Sequence, residues 1–162
     1  MSKLNVNTYS VTHDELTGLP NDFLFYDRLN TIISMSERST SRLSVLYIKL
    51  KNIELIAKEH GVEAIDPLLI NMAERLQDSL RDADTIARLD KFSFGVVLTH
   101  LLDTNTIDSL LYRIYKKLSR PFQIDERNVN VKIFMGKSIY PDNGMNATVL
   151  VSHAISHALN YD

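Results

Sequence analysis

An α/β sandwich with a mixed central sheet is the fold this sequence predicts, and three observations predict it. Short apolar strands alternate with amphipathic helices, two strand pairs are joined by tight polar turns, and 162 residues suit one domain. A chain of that size buries roughly 68–70% of its unfolded surface, so a proper core is available.

The elements follow in order. Thr17-Gly18-Leu19-Pro20-Asn21 is a dense turn signal, with Asn21 placed to cap a helix. From Asp22 to Ser36, the residues Phe23, Leu24, Leu29, Ile32 and Ile33 recur at helical spacing. Over Arg42–Lys51, Leu46, Ile48 and Leu50 alternate with Tyr47, Lys49 and Lys51, a strand with one fully apolar face. Ile65, Leu68, Leu69, Met72, Leu76 and Leu80 mark the clearest helix, with Pro67 in its first turn, where proline is tolerated. Thr85–Leu89 and Phe92–Thr99 read as a hairpin around Asp90-Lys91. Ile107, Leu110, Leu111, Ile114 and Leu118 form a further helix that must end before Pro121. Phe122–Ile124 and Asn128–Tyr140 read as a second hairpin around Asp125-Glu126-Arg127, and Val149–Tyr161 as a last helix.

Composition narrows the function. Eighteen basic residues nearly cancel twenty acidic ones, a net charge of -2, so no general basic field exists to hold nucleic acid. There are no cysteines, which removes thiolate chemistry and disulfides and suits a reducing cytoplasm. Lys49, Lys51 and Lys91 interrupt the most apolar stretches, so no direct membrane contact is expected, and the polar Met1–Ser10 lacks a signal-peptide core.

Asp14-Glu15-Leu16-Thr17-Gly18-Leu19-Pro20-Asn21 resembles the opening signature of GGDEF domains, the diguanylate cyclases of bacterial cyclic di-GMP signalling. The likeness continues, with family spacing, through Met72-Ala73-Glu74-Arg75-Leu76, Asp84–Leu89, Arg120-Pro121-Phe122 and Ile139–Gly144. It implies a ferredoxin-like nucleotide-cyclase fold over residues 14–162, with 1–13 a lead-in. Active members join two GTP molecules on facing domains, using divalent ions held by acidic residues.

The acidic residues are missing here. Where the Gly-Gly-Asp/Glu-Glu-Phe hairpin should lie, the chain reads Asp90-Lys91-Phe92-Ser93-Phe94. At the mid-strand Asp-x-Asp stands Lys49-Leu50-Lys51, a reversal of charge that repels magnesium. The guanine-side asparagine aligns with Ala57, although its companion persists as Asp66. The phosphate-side lysine aligns with Asp162, and the last helix's Ala-Asp start with Ala154-Ile155. The resemblance therefore implies a degenerate, inactive cyclase domain with no magnesium cofactor.

Arg81-Asp82-Ala83-Asp84 matches the family's Arg-x-x-Asp inhibitory site, which in relatives binds cyclic di-GMP. Arginine offers a planar fork to phosphate or guanine, and a carboxylate accepts from guanine N–H groups. A local salt bridge at a helix end is the other reading of this pair. Lys49 and Lys51, two apart on a strand, suggest a triphosphate held without turnover, or lysines that simply reach solvent. His153 and His157, four apart, have a zinc-gripping spacing but no evident third ligand. The functional expectation is a regulatory or receptor module in a longer chain, dimeric or paired with a sensor or an EAL phosphodiesterase domain. An interaction-only module and an active cyclase with unusual residues are the rivals.

Overall fold

The computed structural model describes residues 11–101, 103 and 105–160. Helix α1 (Asp22–Ser36) starts where Asn21 Oδ1 accepts the Leu24 N–H at 3.1 Å, satisfying one of the donors a helix start leaves open. Strand β1 (Arg42–Leu50) leads into α2 (Ile53–His60), a 3-10 turn (Val62–Ala64) and α3 (Ile65–Ser79). The hairpin β2 (Thr85–Asp90) and β3 (Ser93–Leu101) precedes α4 (Asn105–Leu118). Then come β4 (Phe122–Ile124), β5 (Arg127–Val129), β6 (Ile133–Tyr140), α5 (Ala147–Ser156) and β7 (Leu159–Asn160).

The main sheet has the order β2-β3-β1-β6-β7. Every pairing in it is antiparallel, which corrects the expected mixed sheet. Strands β1 and β2 run the same way, but β3 folds back between them, so no parallel pair forms. Helices cover both faces. Leu46, Ile48 and Leu50 meet Ile56, Leu68, Met72 and Ile114 beneath α2–α4, while Leu43, Val45 and Tyr47 meet Phe25, Leu29, Leu150 and Val151 beneath α1 and α5. A strand expected to have one apolar face thus has two, its middle being sandwiched between helical layers.

Two further expectations change. The long second strand over 128–140 divides, because β5 pairs with β4 in a separate two-stranded sheet and β6 joins the main one. Asp125 and Glu126 make the β4–β5 turn at φ 49° and 65°, the left-handed values a two-residue hairpin needs. The last helix ends at Ser156 rather than running on, and β7 pairs with Phe134 and Met135 of β6. Tyr161 lies outside the described residues. Gly136 on β6 lets α5 settle this close, since a Cβ there would overlap the Ala154 carbonyl oxygen.

Candidate functional site

The opening motif builds a latch. Asp14 Oδ2 accepts the Thr17 N–H at 2.9 Å and the Thr17 hydroxyl at 2.7 Å. Gly18, at φ 75°, turns the chain so that its N–H reaches the Asp14 carbonyl. Arg88 Nη1 donates to both Asp14 oxygens at 3.0 and 3.1 Å, and Nη2 donates to the Lys91 carbonyl at 2.8 Å. Backbone bonds add to it, from Arg88 N–H to the Pro20 carbonyl and from Asn21 N–H to the Thr12 carbonyl. One arginine therefore ties the start of the domain to the tip of the β2–β3 hairpin. Burial alone would raise the Asp14 pKa, but the Thr17 hydroxyl, Thr17 N–H and Arg88 outweigh it and hold the carboxyl below its usual range.

The hairpin closes without glycine. Asp90 Oδ1 accepts the Phe92 N–H at 2.9 Å, and Asp90, Lys91 and Phe92 all keep negative φ. Phe92 packs half-buried against the α2–α4 core, Phe94 is fully buried, and Lys91 is exposed. Lys49 and Ser93 then stand directly opposite each other across β1 and β3. Lys49 is exposed, whereas Ser93 is fully buried. Magnesium needs about six oxygen ligands at 2.0–2.1 Å, usually one or two of them carboxylates. An ammonium, a phenyl ring and a buried hydroxyl do not fit that ion.

Arg81 makes a second constellation. Its backbone N–H and Nη2 donate to the Asp84 carboxylate at 3.0 and 3.2 Å, with a longer Nε contact at 3.4 Å. Nη2 also donates to the Thr99 carbonyl at 2.8 Å. The Asp84 side chain is only 2% exposed, against 59% for Arg81. Asp84 is thus turned inward and aims the arginine outward. Arg81 separates two cavities, one of about 290 Å³ bounded by Arg28 and Asp82 and one of about 490 Å³ bounded by His100, Arg113 and Ser109. Arg28 and Arg113 are exposed, and their side chains make no hydrogen bond or ion pair among the described residues. Sequence reading missed both, because an exposed helical arginine carries no local pattern that separates it from ordinary surface.

The remaining candidates stay apart. Asp66 is exposed in the first turn of α3, and Ala57 packs against the core. Ala154 sits in the last turns of α5 rather than at a helix start, which corrects that alignment, and Asp162 lies outside the described residues. His153 and His157 stack with ring centroids 4.0 Å apart, and His157 Nδ1 lies 2.9 Å from the His153 carbonyl. Burial and then the His157 charge lower the His153 pKa. No third metal-ligating side chain joins them among the described residues.

The family model described as diguanylate cyclase, GGDEF domain matches residues 11–160. The chain is a GGDEF domain. It is 34% identical over 142 residues to MucR of Pseudomonas aeruginosa, a bifunctional diguanylate cyclase/cyclic di-GMP phosphodiesterase, covering 88% of this chain and 21% of MucR. A crystal structure of a sensory box/GGDEF family protein from Caulobacter crescentus matches with a TM-score of 0.84 at 32% identity, covering 90% of this chain and 94% of that one. The GGDEF domain of TpbB from P. aeruginosa matches with a TM-score of 0.84 at 28% identity, covering 88% and 84%. This GGDEF domain spans about a fifth of the length of MucR and about a third of the length of TpbB. No helix among its described residues is long and apolar enough to cross a membrane.

Proposed function

We propose that this GGDEF domain forms no cyclic di-GMP and acts in the cytoplasm as a regulatory module of a longer signalling protein. The observation that carries the reading is the pair Lys49–Ser93, which sets an ammonium against a buried hydroxyl where the family resemblance places metal-binding acids. Phosphoryl transfer between nucleotides is driven by ions that bridge and neutralise the phosphates, and this pair supplies no carboxylate to hold one. Incubation with GTP and magnesium or manganese tests it, and cyclic di-GMP above a no-protein control contradicts it.

We further propose that the module reads cyclic di-GMP through Arg81. The support is geometric: Asp84 holds the Arg81 fork in place, and Arg113 lines the same cavity of about 490 Å³. Two guanidinium groups on one cavity suit a ligand with two phosphates and two guanine edges. Calorimetric titration with cyclic di-GMP should show binding that Arg81→Ala weakens about 10- to 100-fold, the worth of a lost charge-assisted hydrogen bond. Equal affinity in wild type and variant would place the ligand elsewhere. An absence of binding would favour an interaction-only module that positions a neighbouring domain, which MucR, only 21% of whose length this chain covers, accommodates.

A further inference from the structure

Helix α5 presents an outer face unlike those of α1 to α4. Its inner side, Ala147, Leu150, Val151 and Ala154, is buried against the sheet. Helices α1 to α4 each carry three or four Lys, Arg, Asp or Glu residues, as the water-facing side of a helix ordinarily does. Helix α5 carries none. It shows water Thr148, Val149, Ser152 and Ile155 instead, with Met145 before it and Leu159 after it. Val149 and Ile155 are each 46% exposed, Leu159 is 63% and Met145 is 67%. Four large apolar side chains along one uncharged helix form a patch rather than scattered surface residues.

The order of these residues fits a two-fold axis. Val149 and Ile155 stand three residues to either side of Ser152, and Met145 and Leu159 stand seven to either side. An antiparallel pair of α5 helices crossing at Ser152 sets Val149 of one copy level with Ile155 of the other. That is the self-complementary pattern an isologous contact requires. Charge favours the same occupant. A two-fold contact brings charged groups near their own likes, and α5 has none to repel its copy. Asp142, the acid that precedes the helix, is already paired with Arg42 at 2.8 Å. His153 and His157 line a cavity of about 420 Å³ with Leu111 and Met135, to one flank of this face.

We propose that the outer face of α5 docks on α5 of a second copy of this chain, around a two-fold axis at Ser152. A helix of 10 residues is about 15 Å long, so the contact falls well below the roughly 800 Å² per partner of a stable dimer. The dimer of the free domain is therefore transient. It is strengthened wherever other domains of a longer chain hold two copies together and raise their effective concentration. No residue of α5 lines the two cavities beside Arg81, so the contact leaves that site free in both copies. The inference stands apart from the catalytic and cyclic di-GMP readings.

Cysteine cross-linking tests the contact, because the chain has no cysteine and one introduced thiol reports on one position. Helices packed with axes about 8–10 Å apart bring facing Cα atoms within the roughly 7 Å that a disulfide can span. Under copper–phenanthroline oxidation, Ser152→Cys should form linked dimers at least about 10-fold faster than Lys58→Cys, a control on exposed α2. Adding Val149→Lys to Ser152→Cys should return the rate to that of the control, since two ammonium groups then meet near the axis. A thermal melt checks that this double variant is folded. Sedimentation equilibrium of the unmodified chain should show a dimer fraction that rises with concentration and is lost in Val149→Lys and in Ile155→Lys. Equal rates for Ser152→Cys and Lys58→Cys, or fast linking that survives Val149→Lys in the folded variant, would overturn the proposal. So would an unmodified chain that stays monomeric at about 1 mM, which would leave this face to a different partner. None of these readouts uses a nucleotide, so failure here is distinct from failure of the regulatory reading.

Discussion

Arg88 and Asp14, 74 residues apart, are joined by two hydrogen bonds of 3.0 and 3.1 Å while their side chains are only 12% and 21% exposed. The same arginine holds the Lys91 carbonyl, so the latch sets the hairpin tip as well as the start of the domain.

Removing the acid should therefore be expensive. Asp14→Ala strands a part-buried guanidinium and removes four hydrogen bonds, two from Arg88 and two from Thr17, and breaking one partner of such a pair costs about 2–4 kcal/mol. Chemical denaturation should show that loss, and a loss under 1 kcal/mol would mean that water replaces the carboxylate readily.

The same carboxyl predicts a pH dependence. Its folded pKa lies below the ordinary 3.8, so its contribution is fully present above the unfolded value and fades as pH falls through the folded one. The stability gap between wild type and Asp14→Ala should be flat above about pH 5 and shrink below about pH 4. A gap that instead narrows between pH 6 and 8 would point to a different titrating group.

Gly136→Ala should destabilise the domain by about 1–3 kcal/mol, because the added methyl forces α5 away from β6. Thermal melts measure this, and an unchanged melting temperature would show that α5 can slide at no cost.

Arg75 lies 3.5 Å over the Phe122 ring and donates to the Lys117, Arg120 and Pro121 carbonyls. Lysine has neither the plane nor the fork to repeat this. Arg75→Lys should lose about 1–2 kcal/mol, nearly as much as Arg75→Ala. Full stability in the lysine variant would show that charge alone suffices.

Much of this fold is legible in the chain. The Asn21 cap, Pro67 in the first turn of α3 and the 3.6-residue spacing from Ile65 to Leu76 are local signals, and each element formed where its signal lies. The β2–β3 hairpin is equally readable, since Asp90–Phe94 stands in fixed spacing after Arg88. Pairing was not. Nothing local to Asn128–Tyr140 tells that β5 and β6 belong to different sheets, because strand pairing is decided by partners far away in sequence. Likewise Asp14 could be quoted as a motif, but its bond to Arg88 exists only once the chain has folded. Arg113 joined Arg81 for the same reason: one cavity unites a helix end and the middle of α4.

We propose that Lys49 and Ser93 leave this GGDEF domain unable to cyclise GTP. The most direct measurement is chromatographic detection of cyclic di-GMP after incubating the domain with GTP and magnesium or manganese, in wild type and Lys49→Asp. The account predicts no product from wild type and none from Lys49→Asp alone, because Phe92 and Ser93 still supply no carboxylate. Product from the wild-type domain above the no-protein control would contradict the account.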